Sequence, residues 1–289
     1  MLWNTSDLKF NTGYGQKTVN LQSHMTTYIE LGQGVPLILI HGFPFDSRLW
    51  FQNLEILSAK FKVYAIDLWG FGQSSRNVKK PDYRLYSEQL LAFINYLGLQ
   101  RVHLVGHSLG GGVCIKFAQD HRDRIDKLVL VASAGLPVKQ TFTVRFMKWP
   151  GVGECMLNFP GVFVRKKMLI DYFIYDQGIL TDAVFESLFL SHRIARTTRH
   201  ILSVMRSDFP NALEQEIARL ASFSIPTQLI WGQHDKSIPV EIGLQFKAML
   251  PVAEWHMLDK SGHLPQLEQA EYFNRVVLNF LTPPHNEGE

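Results

Sequence analysis

The chain has 289 residues, 46% of them apolar and 19% charged, with a formal net charge of +3. That apolar content buries a sizeable core in one or two domains and excludes an intrinsically disordered chain, while so small a charge leaves no electrostatic footprint for nucleic acid. Two cysteines, Cys114 and Cys155, exclude a disulfide framework, and no apolar run approaches the ~18 residues that cross a bilayer.

Met1 to Asn20 is polar and lacks the apolar stretch of a signal peptide, so a cytoplasmic location is expected. Val19 to Leu21 and Met25 to Leu31 read as a short antiparallel pair, and Leu37-Ile38-Leu39-Ile40 as a strand buried on both faces. Helical spacing runs from Leu49 to Ala59. Lys62 to Ile66 is the next strand, followed by a Gly-rich loop and a helix from about Leu85 to Leu97 that Gly98 ends. The apolar run Arg101 to Val105 leads straight into Gly106-His107-Ser108-Leu109-Gly110 and a further helix, and Lys127 to Ala132 is another strand. After Ser133-Ala134-Gly135 the alternation stops until Ile225-Pro226, and helical patterns interrupted by Pro150, Gly151, Gly153, Pro160 and Gly161 take over. Strands Thr227 to Trp231 and Ala253 to Leu258 then resume it. The expected organisation is a core of residues 1–135 and 221–289, with a helical lid at 136–220 over the sheet edge where α/β folds bind ligands. The lid carries 11 Lys/Arg against 8 Asp/Glu, the whole charge excess. Of its aromatics, which include Phe159 and Phe163, about two-thirds are expected to pack against the lid and the core; Phe142 and Phe146 are pocket candidates.

The chemistry is concentrated at strand ends. A serine between two glycines at a strand-to-helix turn lifts its hydroxyl clear of the sheet and places it at a helix N-terminus, where developing negative charge is favoured. Ser108 is therefore the expected nucleophile. Asp235 follows one strand in Gly232-Gln233-His234-Asp235, and His263 follows another in Ser261-Gly262-His263. His263 is expected as general base and Asp235 as the carboxylate that orients it, with Asp259 as a competitor too close in sequence to reach around the ring. The backbone N–H groups of Phe43 and Leu109 are the expected oxyanion donors, His41 a structural support for its loop, and Trp69 and Leu264 further pocket walls. Arg193, Arg196 and Arg199 offer a carboxylate grip in the lid but read better as a solvated face. Arg165-Lys166-Lys167 near Phe163 and Tyr172 likewise reads as solvated rather than as a peripheral membrane contact. The histidines have no zinc-ligand spacing, so no metal or cofactor is expected.

These segments together resemble the α/β-hydrolase superfamily from about Tyr28 to Leu281. The carriers are His41-Gly42-Phe43-Pro44, Asp67 to Ser74, Gly106 to Gly111, Trp231 to Asp235 and Ser261-Gly262-His263. The resemblance implies an α/β fold with a mostly parallel eight-stranded sheet, flanking helices and a lid. Its lid-bearing branch includes esterases, lipases and carbon–carbon bond hydrolases of ring-fission products. The last group typically has Asn before the serine and Trp after the histidine, where this chain has His107 and Leu264. The main expectation is thus a serine hydrolase that cleaves a small apolar carboxylic ester or thioester through an acyl-enzyme on Ser108. The alternatives are carbon–carbon cleavage, with a lid arginine on the substrate carboxylate, and a small-molecule receptor on the same scaffold.

Overall fold

A computed structural model describes residues 14–78, 80–158, 161–207 and 209–282. Its organising element is one sheet of eight described strands in the order β1-β2-β4-β3-β5-β6-β7-β8. Strands β1 (Gln16–Leu21) and β2 (His24–Leu31) form a hairpin around Gln22 and Ser23, both at positive φ, and β2 also runs antiparallel to β4. Such a turn matches the strand twist. The remaining strands, β3 (Pro36–Ile40), β4 (Lys62–Ile66), β5 (Val102–His107), β6 (Ile125–Val131), β7 (Thr227–Gly232) and β8 (Glu254–Leu258), are parallel. Leu37 to Ile40 and all of β5 are buried on both faces, as expected for central strands under helices.

The run from Leu49 to Ala59 is not one helix. It divides into a 3-10 turn, Ser47–Trp50, and a short α1 (Leu54–Ser58). The Asn53 side chain between them donates to the Gln266 carbonyl and the Asn274 carboxamide, at 3.0 and 2.8 Å, so a tertiary contact overrides local periodicity. Helix α2 (Tyr83–Tyr96) starts at Asp82, whose carboxylate accepts from Leu85 N, and ends before Gly98 at φ +67. Helix α3 (Leu109–His121) follows Ser108.

Between β6 and β7 the described residues form helices and no strand. They are α4 (Phe142–Met147), α5 (Val152–Asn158), α6 (Gly161–Met168), α7 (Asp182–Phe189), α8 (Thr197–Arg206) and α9 (Glu214–Leu220). Phe159 and Pro160 lie outside the described residues. Helix α9 packs on α3, with Ile217 and Leu220 buried and Gln119 donating to the Glu216 carbonyl. It therefore shares the core's packing although the sequence reading groups it with the lid. The helices before it are tied to the core by polar bonds: Ser191 to Asp46, His192 to the Pro44 carbonyl, Arg76 to Thr197, and Tyr86 to His200. Helices α10 (Val240–Met249), α11 (Pro265–Glu268) and α12 (Ala270–Leu281) complete the flanks. Among the described residues no helix is long and apolar enough to cross a membrane.

Candidate active site

Ser108 sits on the turn from β5 to α3 at φ 51°, a conformation that non-glycine side chains adopt only under tertiary constraint. The constraint is visible in its neighbours. A Cβ on Gly106 would meet the Gly110 carbonyl oxygen at 2.5 Å, and one on Gly110 would meet that of Ile40 at 2.3 Å. The turn is anchored by Ser108 N donating to the Val131 carbonyl at 2.8 Å. Leu109 opens α3, so its N–H is one of the donors a helix start leaves free.

Asp235 and His263 meet although 28 residues apart: His263 Nδ1 lies 2.7 Å from Asp235 Oδ2, and both side chains are buried. The other carboxylate oxygen accepts from Ser237 and Ile238 N–H, which fixes the aspartate's orientation. Asp259 is exposed and takes no part in this pair. The tautomer follows: Nδ1–H donates to Asp235, leaving the Nε2 lone pair to take a proton. Nε2 is buried and has no hydrogen-bond partner among the described residues.

The loop after β3 presses against the serine. A Cβ on Gly42 would meet His107 Nδ1 at 2.4 Å and Ser108 Cβ at 2.8 Å. Gly42→Ala is accordingly expected to cost activity at least tenfold while the protein still folds, measured as kcat alongside a thermal melt. Phe43, Ser108 and Leu109 line one cleft together. His41 holds the loop, as Nδ1 bonds to the Gly42 carbonyl and Nε2 accepts from Leu68 N. Burial pushes its pKa down to about 4, so the ring is neutral in this role.

Two positioning groups escape sequence reasoning. His107 Nε2 bonds to the His263 carbonyl at 2.8 Å, its ring 4.8 Å from that of His263, and burial holds it well below the usual histidine range. Glu268 accepts from Gly262 N at 2.7 Å and from Tyr175 and Asp176 N at 2.6 and 3.1 Å, joining the histidine loop to the segment after α6. Burial raises its pKa, against the pull of those N–H groups. His263 N completes the junction by donating to the Phe173 carbonyl at 2.7 Å. No spacing pattern announces such a contact: Glu268 is an ordinary helix carboxylate until the chain folds.

The cleft beside Ser108 opens to solvent; its empty space, with the solvent-open mouth included, is about 1080 Å³. It shares Phe43, Met168, Phe173 and Met205 with a small, mostly apolar recess. The four expected pocket walls do not line it. Trp69 is buried against β2, its indole donating to Thr26 at 2.9 Å. Leu264 packs into the core beneath α12. Phe142 and Phe146 point to solvent because Thr141, Val144 and Lys148 occupy the inner side of their helix. The cations that do line the cleft are Lys139, Lys148 and Lys236. Arg196 and Arg199 are exposed elsewhere, and the Arg193 side chain lies outside the described residues. No group of three or more potential metal ligands occurs among the described residues.

Sheet order, serine turn and buried Asp–His pair are together those of an α/β hydrolase. A family model for the alpha/beta hydrolase fold matches residues 35–165. The chain is 31% identical over 275 residues to a 2-hydroxy-6-oxononadienedioate/2-hydroxy-6-oxononatrienedioate hydrolase of Pseudomonas putida, covering 91% of this chain and 92% of that protein. It is 28% identical over 284 residues to a 2-hydroxy-6-oxo-6-phenylhexa-2,4-dienoate hydrolase of Burkholderia cepacia, covering 94% and 96%. Among solved structures, a meta-cleavage product hydrolase of Pseudomonas fluorescens IP01 superimposes with a TM-score of 0.80 at 24% identity, over 93% of this chain and 98% of that one. The protein belongs to the α/β-hydrolase family and is a hydrolase.

Proposed function

We propose that this hydrolase cleaves a carbon–carbon bond in a 2-hydroxy-6-oxo-dienoate, the substrate class in the names of its relatives, and that Ser108, His263 and Asp235 form its triad. The observation that carries the reading is full-length similarity to such hydrolases, at 31% identity with one of them. This departs from the ester chemistry expected from sequence. Once the substrate's enol has become a ketone, Ser108 Oγ attacks C6 as His263 Nε2 takes its proton. The resulting oxyanion faces the N–H groups of Phe43 and Leu109. The C5–C6 bond then breaks, its electron pair passes into the conjugated system towards the C2 oxygen, and the proton from His263 neutralises that leaving group. Water hydrolyses the acyl-serine, with His263 again as base, to give a carboxylic acid and a five-carbon 2-hydroxydienoate. The helices from α4 to α8 serve as the lid.

The substrate carboxylate is assigned to the cleft's lysines rather than to an arginine. Lys236→Met and Lys139→Met are each expected to raise KM for the dienoate about tenfold with a smaller change in kcat, the signature of lost ground-state binding. Ester hydrolysis is the second reading, favoured by His107 and Leu264 standing where carbon–carbon hydrolases typically carry Asn and Trp. Parallel assays with 2-hydroxy-6-oxo-6-phenylhexa-2,4-dienoate and a p-nitrophenyl ester series decide between them. Ser108-dependent turnover of esters, with the dienoate left intact, would sink the carbon–carbon reading.

A further inference from the structure

The direction of a backbone oxyanion donor is set by the far side of its own peptide. In the trans Gly42–Phe43 peptide the Phe43 N–H points opposite to the Gly42 carbonyl. Two groups hold that carbonyl: Phe45 N donates to it at 2.9 Å, and His41 Nδ1 lies 2.9 Å away. Whatever fixes Phe45 therefore also fixes where the Phe43 N–H points.

The residues on either side of Phe45 are tied to two neighbours between α7 and α8. His192 Nε2 lies 2.8 Å from the Pro44 carbonyl oxygen, and Ser191 Oγ donates to Asp46 Oδ2 at 2.7 Å. A carbonyl only accepts, so the His192 ring carries its proton on Nε2. Burial lowers the ring's pKa to about 3, which keeps it neutral with that one N–H committed to Pro44. Asp46 is held in turn by Arg48, whose N and Nε donate to its other carboxylate oxygen at 3.1 and 2.8 Å. The Phe45 ring meets that of Phe189, at the end of α7, edge-on at 5.9 Å. Ser191 and His192 are themselves buried and rooted in the core. Thr197 Oγ1 donates to the Ser191 carbonyl at 3.1 Å and accepts from Arg76 Nε at 2.7 Å. One turn further on, the Tyr86 hydroxyl and His200 Nε2 are 3.1 Å apart. The segment is thus a fixed support for the loop after β3.

We propose that Ser191 and His192 are positioning residues for the oxyanion hole, holding the Phe43 N–H in line through Pro44, Asp46 and the Phe45 turn. That role rests on the proposed Ser108 nucleophile and Phe43 donor, and not on which bond is cleaved. It gives the lid a part in the chemistry besides covering the cleft. The effect falls on the transition state. An oxyanion donor works by meeting the position where charge develops, so a turned N–H loses most of its value there and little in substrate binding.

The test sets turnover by the full chain beside its affinity for an aryl trifluoromethyl ketone, with the dienoate or a p-nitrophenyl ester as substrate. Ser108 Oγ adds to the ketone carbon, its proton passes to His263 Nε2, and the carbonyl electron pair becomes an oxyanion facing the Phe43 N–H. His192→Phe keeps a ring and removes the N–H. It is expected to lower kcat about tenfold and weaken the ketone about tenfold, with KM within about twofold of the wild type. His192→Gln keeps an N–H donor for Pro44 and is expected to bring both values back to within about threefold. Ser191→Ala removes the neighbouring tie, and a loss of about threefold in both, at unchanged KM, is expected. Thermal melts report folding. Wild-type ketone affinity in a folded His192→Phe protein overturns the inference, as does a fall in kcat without a matching loss of ketone affinity, or failure of His192→Gln to restore either. Should His192→Phe not fold, wild-type values in Ser191→Ala overturn it instead. If the unmodified chain forms no ketone adduct at Ser108, the proposed nucleophile and oxyanion hole fall, and the positioning role with them.

Discussion

Alanine at Ser108 is expected to lower turnover by ~10³ to 10⁶-fold, whichever bond is broken, with little change in stability. In the proposed mechanism the hydroxyl supplies the covalent intermediate. The substitution retains Cβ, so the strained φ of 51° is still imposed by the same glycine contacts. Losing a group that holds an unfavourable backbone is not expected to unfold the protein. Single-turnover assays with the dienoate and with a p-nitrophenyl ester measure the effect. Retention of full turnover by Ser108→Ala would exclude an acyl-serine and leave His263 with a water molecule as nucleophile.

The second large effect is expected at Glu268, and it is structural as well as chemical. Its carboxylate accepts three backbone N–H groups, one on the histidine loop and two on the segment after α6. Truncation to alanine leaves the buried Gly262 N–H without an acceptor, at a cost of about 1–3 kcal/mol before water enters, while the Tyr175 and Asp176 N–H groups, on exposed residues, can turn to water. A net loss of about 1–3 kcal/mol is expected, seen as a lower urea midpoint. Activity is expected to fall about 10 to 100-fold, because the loop carrying His263 loses its tether and the Asp235–His263 pair its alignment. Glu268→Gln separates the two roles. Its amide oxygen restores only part of the acceptor capacity and its NH₂ faces donors, so intermediate stability with low kcat and unchanged KM is the expected pattern. A Glu268→Ala protein with wild-type kcat would show that the tether does not position the histidine.

The β-strands were legible because burial on both faces writes continuous apolar runs such as Leu37 to Ile40. The serine turn was legible because tight backbone approach leaves only glycine at 106 and 110, as the contacts with the Gly110 and Ile40 carbonyls explain. The pairing of Asp235 with His263 follows from chain order and strand ends, and the structure places the two 2.7 Å apart. The pocket walls were not legible. Phe142 and Phe146 carry the apolar signature of a lining, yet helix phase turns them outward and gives the cleft Val144 and Lys148 instead. Trp69 and Leu264 are large apolar residues beside catalytic-site loops, and both are claimed by the core.

By itself the sequence determined the α/β-hydrolase fold and the strand that precedes each candidate active-site residue, because these depend on local patterns: burial period, steric demand and residue order. Only the tertiary structure decided which side chains face the cleft, which cations stand at its edge, and that Glu268 and His107 clamp the histidine loop. Those outcomes depend on helix phase and on hydrogen bonds between segments far apart in the chain, and neither quantity is encoded at any single position.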